Sequence, residues 1–457
     1  MPATATEIRT LLRLSAPVVV TQVALMMLGV VDTIMVGWYG TGEVSVEALG
    51  AASLGNLWVV GTYIVAMGIL CGMDPIVTQA EGRRDVRMLG LSLQRGIVLS
   101  LAISVPLAFL WLVTEPVLVA CGQSPALAKP AGDYVRVQIP CIPFFLGFTA
   151  LRQYLQGRGI VVPAMVVAIA ANGINVLGNW VLIHGNLGAP ALGVVGAGIA
   201  TSLTRVFLLV ALVWITMRGR LCRDGWVPWT REALRFEGLV DILRHGVSVG
   251  AQFGLEVWAF QIATLWAGKL GTVELAAHTI VLNLASLSFM LPLGVSMGAV
   301  TRVGNLIGER RRFRAQRAAW IAFALGAGIM VICAVVFSTL RTLLPAAYTS
   351  SPEVQAAAAA VLPIAAAFQI FDGTQVVGCS ILRGMGRTVP AALINVLGYY
   401  ALALPLAFWL TWGAGWGLAG IWWGLALGLL VVAALLLAWI WRRGPARMRP
   451  GRPSPLF

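Results

Sequence analysis

The chain divides into twelve long apolar runs separated by short polar connections, at approximately 14–37, 50–77, 91–113, 134–155, 160–183, 191–217, 245–268, 276–304, 318–340, 356–381, 390–411 and 417–441. A helix needs about 20 consecutive apolar residues to cross the hydrocarbon of a bilayer, and each run meets that length. The pattern predicts an all-α integral membrane protein with twelve transmembrane helices. The first run continues to Asp32 without a small-residue cleavage site, so it reads as a retained span and not as a signal peptide. The longest connection, from Arg218 to Leu243, is polar and contains tryptophan. It reads as a linker (218–243) between an N-terminal six-helix bundle (1–217) and a C-terminal one (244–441), followed by a basic tail (442–457).

The two halves are related. A shift of 227 residues aligns Ser124-Pro125 with Ser351-Pro352, Phe144 with Phe371, Leu155 with Leu382, Gly157 with Gly384, Gly159 with Gly386, and Val162-Pro163-Ala164 with Val389-Pro390-Ala391. Small changes of offset extend the match to Leu12-Arg13 with Leu243-Arg244, Gly68 and Gly72 with Gly294 and Gly298, Gly82 with Gly308, and Gly193 and Gly196 with Gly417 and Gly420. Each half has an even number of spans, so the copies enter the membrane the same way round. The repeat is parallel, with a pseudo-two-fold axis along the membrane normal, a design used by secondary transporters.

Three acids fall inside apolar runs: Asp32 in the first, Glu256 in the seventh and Asp372 in the tenth. A mid-helix aspartate costs on the order of 2.5–3.5 kcal/mol on insertion scales, so these positions point to function. A structural pairing with arginine is the competing explanation, and Arg205 in the sixth span is a candidate partner for Asp32. The repeat-related positions of Asp32, Glu256 and Asp372 are Ala263, Leu25 and Phe145, so none of the acids belongs to the shared scaffold. Polar neighbours accompany them at helical spacing. Asn172, Asn175 and Asn179 form a stripe along the fifth span, Gln252 stands four residues before Glu256, and Gln369 and Gln375 flank Asp372. Amide stripes also serve helix–helix hydrogen bonding. Carboxylates beside amide and hydroxyl oxygens suit a hard cation such as sodium, and a desolvated carboxylate suits proton coupling. Asp74, just before Pro75, is expected at a vestibule or interface, and His278 is expected to pack or cap a helix. Pro17 and Gly29 in the first span are compatible with a bending helix or a packing kink.

Composition agrees with the runs. Twelve spans of about 20 residues use about 240 positions, and a hydrophobic share of 59% supplies about 270. Only 11% of residues are charged, and the mean hydropathy is +0.87. The net charge of +14 would suggest a nucleic-acid partner in a soluble chain. Here the arginines sit in alternate short loops: Arg83 to Arg95, Arg152 and Arg158, Arg218 to Arg244, Arg310 to Arg317, Arg383 and Arg387, and the tail. That is a topology signal. It places both termini on the cytoplasmic side of a cell (inner) membrane and excludes nucleic acid as partner. The seventeen tryptophans are expected mostly at the interfaces. The six cysteines show no CxxC or Cys/His spacing, so neither a disulfide framework nor a zinc site is expected. No Walker A, HExxH or GxSxG motif occurs in a context that would support an enzyme.

Several segments together resemble one family. Ser15-Ala16-Pro17 through Val31-Asp32-Thr33-Ile34-Met35-Val36-Gly37 is similar to the opening of the multidrug and toxic compound extrusion (MATE) transporters of the NorM-like branch. Ala276-Ala277-His278 with Asn283, Leu382-Arg383-Gly384-Met385-Gly386, and Asn175 through Asn179-Trp180 resemble further family segments. The resemblance runs from about Arg9 to Trp441. It implies two pseudo-symmetric six-helix bundles around a V-shaped central cleft, acting as a monomer that exports small cationic amphiphilic compounds in exchange for sodium ions or protons. It implies no cofactor beyond the coupling ion and no partner beyond substrate and bilayer. Carried over by position, it implies coupling residues Asp32, Asn175, Asn179 and Thr201 in one bundle and Glu256 and Asp372 in the other. Sodium would sit at Asp32 with Asn175 and Asn179, or at Glu256 with Asp372. Gln22, Met26, Asp32, Gln252, Glu256, Phe368, Asp372 and Gln375 are the implied substrate contacts. Phe368 replaces a tyrosine of NorM-like relatives, and the missing hydroxyl weakens the argument for sodium in the C-terminal bundle. The alternative is a lipid-linked precursor flippase of a related fold, which should carry a basic cavity, whereas the charges within the runs are mainly acidic.

Overall fold

The computed structural model describes residues 2–38 and 43–448, and the side chains of 4–38 and 49–448. Arg449 and Arg452 of the expected tail lie outside the described residues. The helices are α1 (Pro2–Gly37), α2 (Glu43–Leu70), α3 (Asp74–Arg83), α4 (Val86–Leu112), α5 (Thr114–Ala120), α6 (Pro125–Arg136), α7 (Ile142–Gly157), α8 (Val162–His184), α9 (Gly193–Arg218), α10 (Phe236–Leu270), α11 (Thr272–Gly308), α12 (Arg312–Thr339), α13 (Leu343–Ala346), α14 (Pro352–Gly384), α15 (Thr388–Val396), α16 (Leu404–Phe408) and α17 (Gly417–Arg443).

Eleven helical segments among the described residues are long and apolar enough to cross a membrane. The remaining apolar run lies in α10, which at 35 residues is long enough to span. Gln252, Glu256 and Gln261 interrupt its membrane-length stretch, and that polarity sets it apart from the others. Three runs are not single α-helices. The second breaks at a 3₁₀ turn, Cys71–Met73, before the Pro75 of α3, and the fourth at Ile139–Cys141, where Pro140 and Pro143 withdraw two backbone donors. The eleventh contains π-helical stretches at Leu397–Ala403 and Trp409–Gly413 on either side of α16.

Helix ends carry local signals. Asp85 caps α4 by accepting from the Met88 amide at 3.0 Å. Ser124 and Ser351, related by the repeat, are both extended, and each precedes a proline at the first turn of its helix. The proline N–H would be unsatisfied there in any case.

The chain forms two compact units. The first comprises Met1–Val19, Asp74–Arg84 and Ala251–Phe457, and the second Val20–Met73 and Asp85–Gly250. Their boundaries therefore fall inside α1 and α10. The repeat explains this. In the second unit Gly68 of α2 and Gly72 of the 3₁₀ turn after it lie against Gly246 and Gly250 of α10, so close that a Cβ at Gly72 or Gly246 would collide with the opposite backbone. In the first unit Gly294 of α11 lies against the side chain and backbone of Val19 of α1, and Gly298 against the Ser15 side chain. Small residues four apart let the backbones touch, which is how membrane helices pack when hydrophobic burial gives no bias. Gly246→Leu should destabilise the protein by about 3 kcal/mol, because the Ile69 carbonyl it meets cannot move aside. Gly328→Ala, facing open space in α12, should change stability by less than about 1 kcal/mol. Thermal unfolding in detergent compares the two.

Buried ion pairs in the first unit were not expected. Glu7, 3% exposed, accepts from Arg302 at 2.7 and 2.8 Å and from Arg314 at 3.3 Å. Asp74, expected at a vestibule, is 2% exposed, with its Oδ2 3.1 Å from Arg383 Nε. Two further acids are thus buried, each against arginine. Their ionic partners lie far away in sequence, so hydropathy alone could not pair them. The tryptophans also divide: Trp111 and Trp422 are fully buried, while Trp214, Trp409 and Trp441 are exposed. All six cysteines are free.

Candidate functional site

Asp32, 7% exposed, projects from α1 in the second unit. Its Oδ1 accepts from the side-chain amides of Asn175 at 3.0 Å and Asn179 at 2.6 Å, both on α8. Its Oδ2 accepts from the Thr201 hydroxyl of α9 at 2.5 Å. Asn179 also donates to Asn175 Oδ1 at 3.3 Å, and its own Oδ1 has no hydrogen-bond partner among the described residues. The amide stripe on α8 therefore does two jobs. Asn172 donates to the Ala24 carbonyl of α1 at 2.9 Å, a helix-to-helix tie, and the two asparagines further along face the carboxylate.

Arg205 does not pair with Asp32 as the structural explanation required. Its guanidinium donates to Gln138 Oε1 at 2.9 Å and lies 4.7 Å over the Phe145 ring, which stacks on Tyr63 at 4.4 Å. The gap at position 145, where the repeat would place an acid, is filled by that aromatic stack. Gln22 is engaged by Arg152 Nη1 at 2.5 Å, and Met26 is half-buried on α1.

The first unit holds the second cluster. Glu256 of α10 accepts from Gln375 of α14 at 3.4 Å and from the Tyr399 hydroxyl at 3.4 Å. Gln375 donates also to Asn395 Oδ1 at 3.0 Å, and Asn395 donates to Cys379 Sγ at 3.1 Å. Asp372 is 6% exposed, and its Oδ1, like Gln375 Oε1, has no hydrogen-bond partner among the described residues. Gln252 is 5% exposed. Phe368 is 2% exposed and meets Trp422 and Phe260 edge-on at 5.6 and 6.0 Å, a core position. Gln369 Oε1 accepts from Ser288 at 3.1 Å. His278 packs at 5.6 Å from Trp422 with Nε2 3.1 Å from the Thr264 hydroxyl.

Tyr399 and Asn395 were not singled out in the sequence. Tyr399 lies in the π-helical stretch, where i→i+5 bonding shifts the register that helical spacing assumes; such stretches frequently mark functional sites. The sequence signals are Asn395 and the Tyr399-Tyr400 pair in a largely apolar run. The hydroxyl that Phe368 lacks is thus supplied beside Glu256 by a different helix. No group of three or more His, Cys, Asp or Glu side chains that could hold a metal ion is found among the described residues. The oxygens without partners, Asp372 Oδ1 and Gln375 Oε1 in the first unit and Asn179 Oδ1 in the second, are the atoms a sodium ion could use.

A many-helix membrane protein with an internal repeat that holds buried carboxylates by neutral amides and hydroxyls is of the secondary-transporter class. The MatE family profile matches residues 17–181 and 249–409, more than half of the chain. The chain belongs to that family, the multidrug and toxic compound extrusion transporters, and is not an enzyme. It is 33% identical over 433 residues to the multidrug resistance protein NorM of Burkholderia vietnamiensis, covering 93% of this chain and 92% of that one. It is 28% identical over 436 residues to multidrug and toxin extrusion protein 1 of Oryctolagus cuniculus, covering 95% and 75% of the two chains. The crystal structure of the eukaryotic MATE transporter AtDTX14 shares the fold, with a TM-score of 0.88, 23% identity and coverage of 97% and 99%.

Proposed function

We propose that the protein is a multidrug efflux antiporter that exports small cationic amphiphilic compounds in exchange for protons or sodium ions. One observation carries the reading: Asp32 is buried, and the two amides and one hydroxyl that hold it are all neutral. A buried carboxylate with no directly paired cation is stabilised by a cation that comes and goes, and a coupling ion and a cationic substrate can compete for that role. The three donors facing Asp32 stabilise its ionised form, and direct sodium ligation by the asparagines would require both amides to turn their oxygens inward. The unspent oxygens around Asp372 and Gln375 suit either ion. The relatives' names support drugs as the cargo. The arginine pattern supports an inner-membrane location with both termini cytoplasmic, and the protein works as a monomer with no cofactor.

Ethidium flux in proteoliposomes under an imposed pH gradient, then under an imposed sodium gradient, tests the mechanism. Uphill efflux driven by at least one gradient is expected. Flux that follows only the ethidium gradient under both conditions would overturn antiport. Preferential binding of a pyrophosphate-linked lipid over organic cations would instead support a flippase.

A further inference from the structure

A cavity in the second unit touches neither carboxylate cluster. It is a groove of about 860 Å³ bounded by α4, α7 and α9, with Leu101, Phe144 and Val213 on its walls and Arg220, Arg223 and Trp226 at one end. Its walls are open to the surroundings: Leu101 is 55% exposed and Phe144 37%. In a membrane protein such a wall faces hydrocarbon. The volume is within the range that holds a molecule of several hundred daltons.

Charge decides what fits. Neither the Arg220 nor the Arg223 guanidinium has a hydrogen-bond or ion-pair partner among the described residues, their bonds being those of the backbone amides. Nearby, Arg158 is spent on the Leu221 carbonyl at 2.8 Å and the Tyr154 hydroxyl at 3.2 Å, which anchors the loop that carries both arginines. Asp224 is the acid beside them in sequence, and it is exposed. Trp226 adds an amphipathic ring of the kind that sits at headgroup depth. A cationic amphiphile would be repelled at this end, so the groove does not suit the compounds proposed as cargo. An amphiphile with an anionic head and an apolar chain matches both parts of it, and basic pockets between membrane helices are recognised seats for anionic headgroups.

We propose that this groove seats one anionic glycerophospholipid, its acyl chain along the apolar wall and its phosphate between Arg220 and Arg223. The inference is independent of which ion drives transport. Purified protein in mixed micelles containing phosphatidylglycerol and phosphatidylcholine, analysed by native mass spectrometry, tests it, with unfolding midpoints confirming that each variant is folded. The wild type is expected to retain phosphatidylglycerol in preference to phosphatidylcholine. Affinity for phosphatidylglycerol should fall about fivefold for Arg220→Gln or Arg223→Gln, and roughly thirtyfold for the double variant. Leu101→Trp, which fills the groove and leaves both arginines, should also lose the lipid. The proposal is overturned by equal retention of the two lipids, by wild-type retention in the double variant or in Leu101→Trp, or by displacement of the lipid with millimolar glycerol phosphate.

Discussion

Asp32→Asn is expected to cut gradient-driven ethidium efflux roughly 100-fold while leaving the protein folded, equivalent to about 2.7 kcal/mol of lost coupling. The two side chains have nearly the same shape, so the space between α1, α8 and α9 stays filled. The substitution removes a buried charge, and the amide can still offer one oxygen to Asn175 or Asn179. What it cannot do is bind a proton or neutralise a cation. Both competing ligands then lose the differential affinity that exchange requires, since a ligand with equal affinity for two states shifts neither. The hydroxyl of Thr201, 2.5 Å from Asp32, separates geometry from charge: Thr201→Ser keeps the donor and should retain most of the flux. The measurement is uphill efflux in proteoliposomes under whichever gradient drives the wild type. Undiminished uphill flux through folded Asp32→Asn would remove Asp32 from the mechanism.

How much of this could be read beforehand follows from the range of each interaction. The helices were legible because a bilayer demands about 20 apolar residues in succession, a local and redundant signal. α10 shows the limit of that signal, since Gln252, Glu256 and Gln261 make the helix that carries a candidate site the least apolar. The repeat was legible in Gly68, Gly72, Gly294 and Gly298 because a Cβ at any of them would run into the neighbouring helix. Asp32, Glu256 and Asp372 stood out because charge in an apolar run is costly. Thr201 drew attention only through family resemblance, for a threonine in a membrane helix can satisfy itself on its own backbone, as Thr204 does on the Ala200 carbonyl at 2.8 Å. Tyr399 was hidden by the change of register in the π-helical stretch, and the exchange of α1 and α10 segments between compact units is a long-range event with no local mark. The ion pairs of Glu7 and Asp74 were hidden for the same reason, because the arginines that neutralise them lie hundreds of residues away.

The Asp74–Arg383 pair should give the largest loss of stability. Both side chains are about 5% exposed or less, and Arg383 also reaches Met297 Sδ and Ser380 Oγ, each at 3.4 Å. Gln79 on the same short helix as Asp74 donates to the Gly384 carbonyl at 3.1 Å, so α3 is held to the end of α14 by adjacent polar contacts. Arg383→Met preserves the volume and removes the cation, leaving Asp74 buried without its arginine. Breaking a buried pair from one side costs about 3–5 kcal/mol, whereas replacing both partners with neutral groups of similar size is often close to neutral. Asp74→Asn combined with Arg383→Met should therefore recover most of the stability that Arg383→Met loses. Thermal or denaturant unfolding of the two variants decides the matter, with ethidium efflux as a second readout. A double variant as unstable as the single one would mean that Arg383 acts through its packing against Met297 and Ser380, and that the charge of Asp74 is neutralised by other groups.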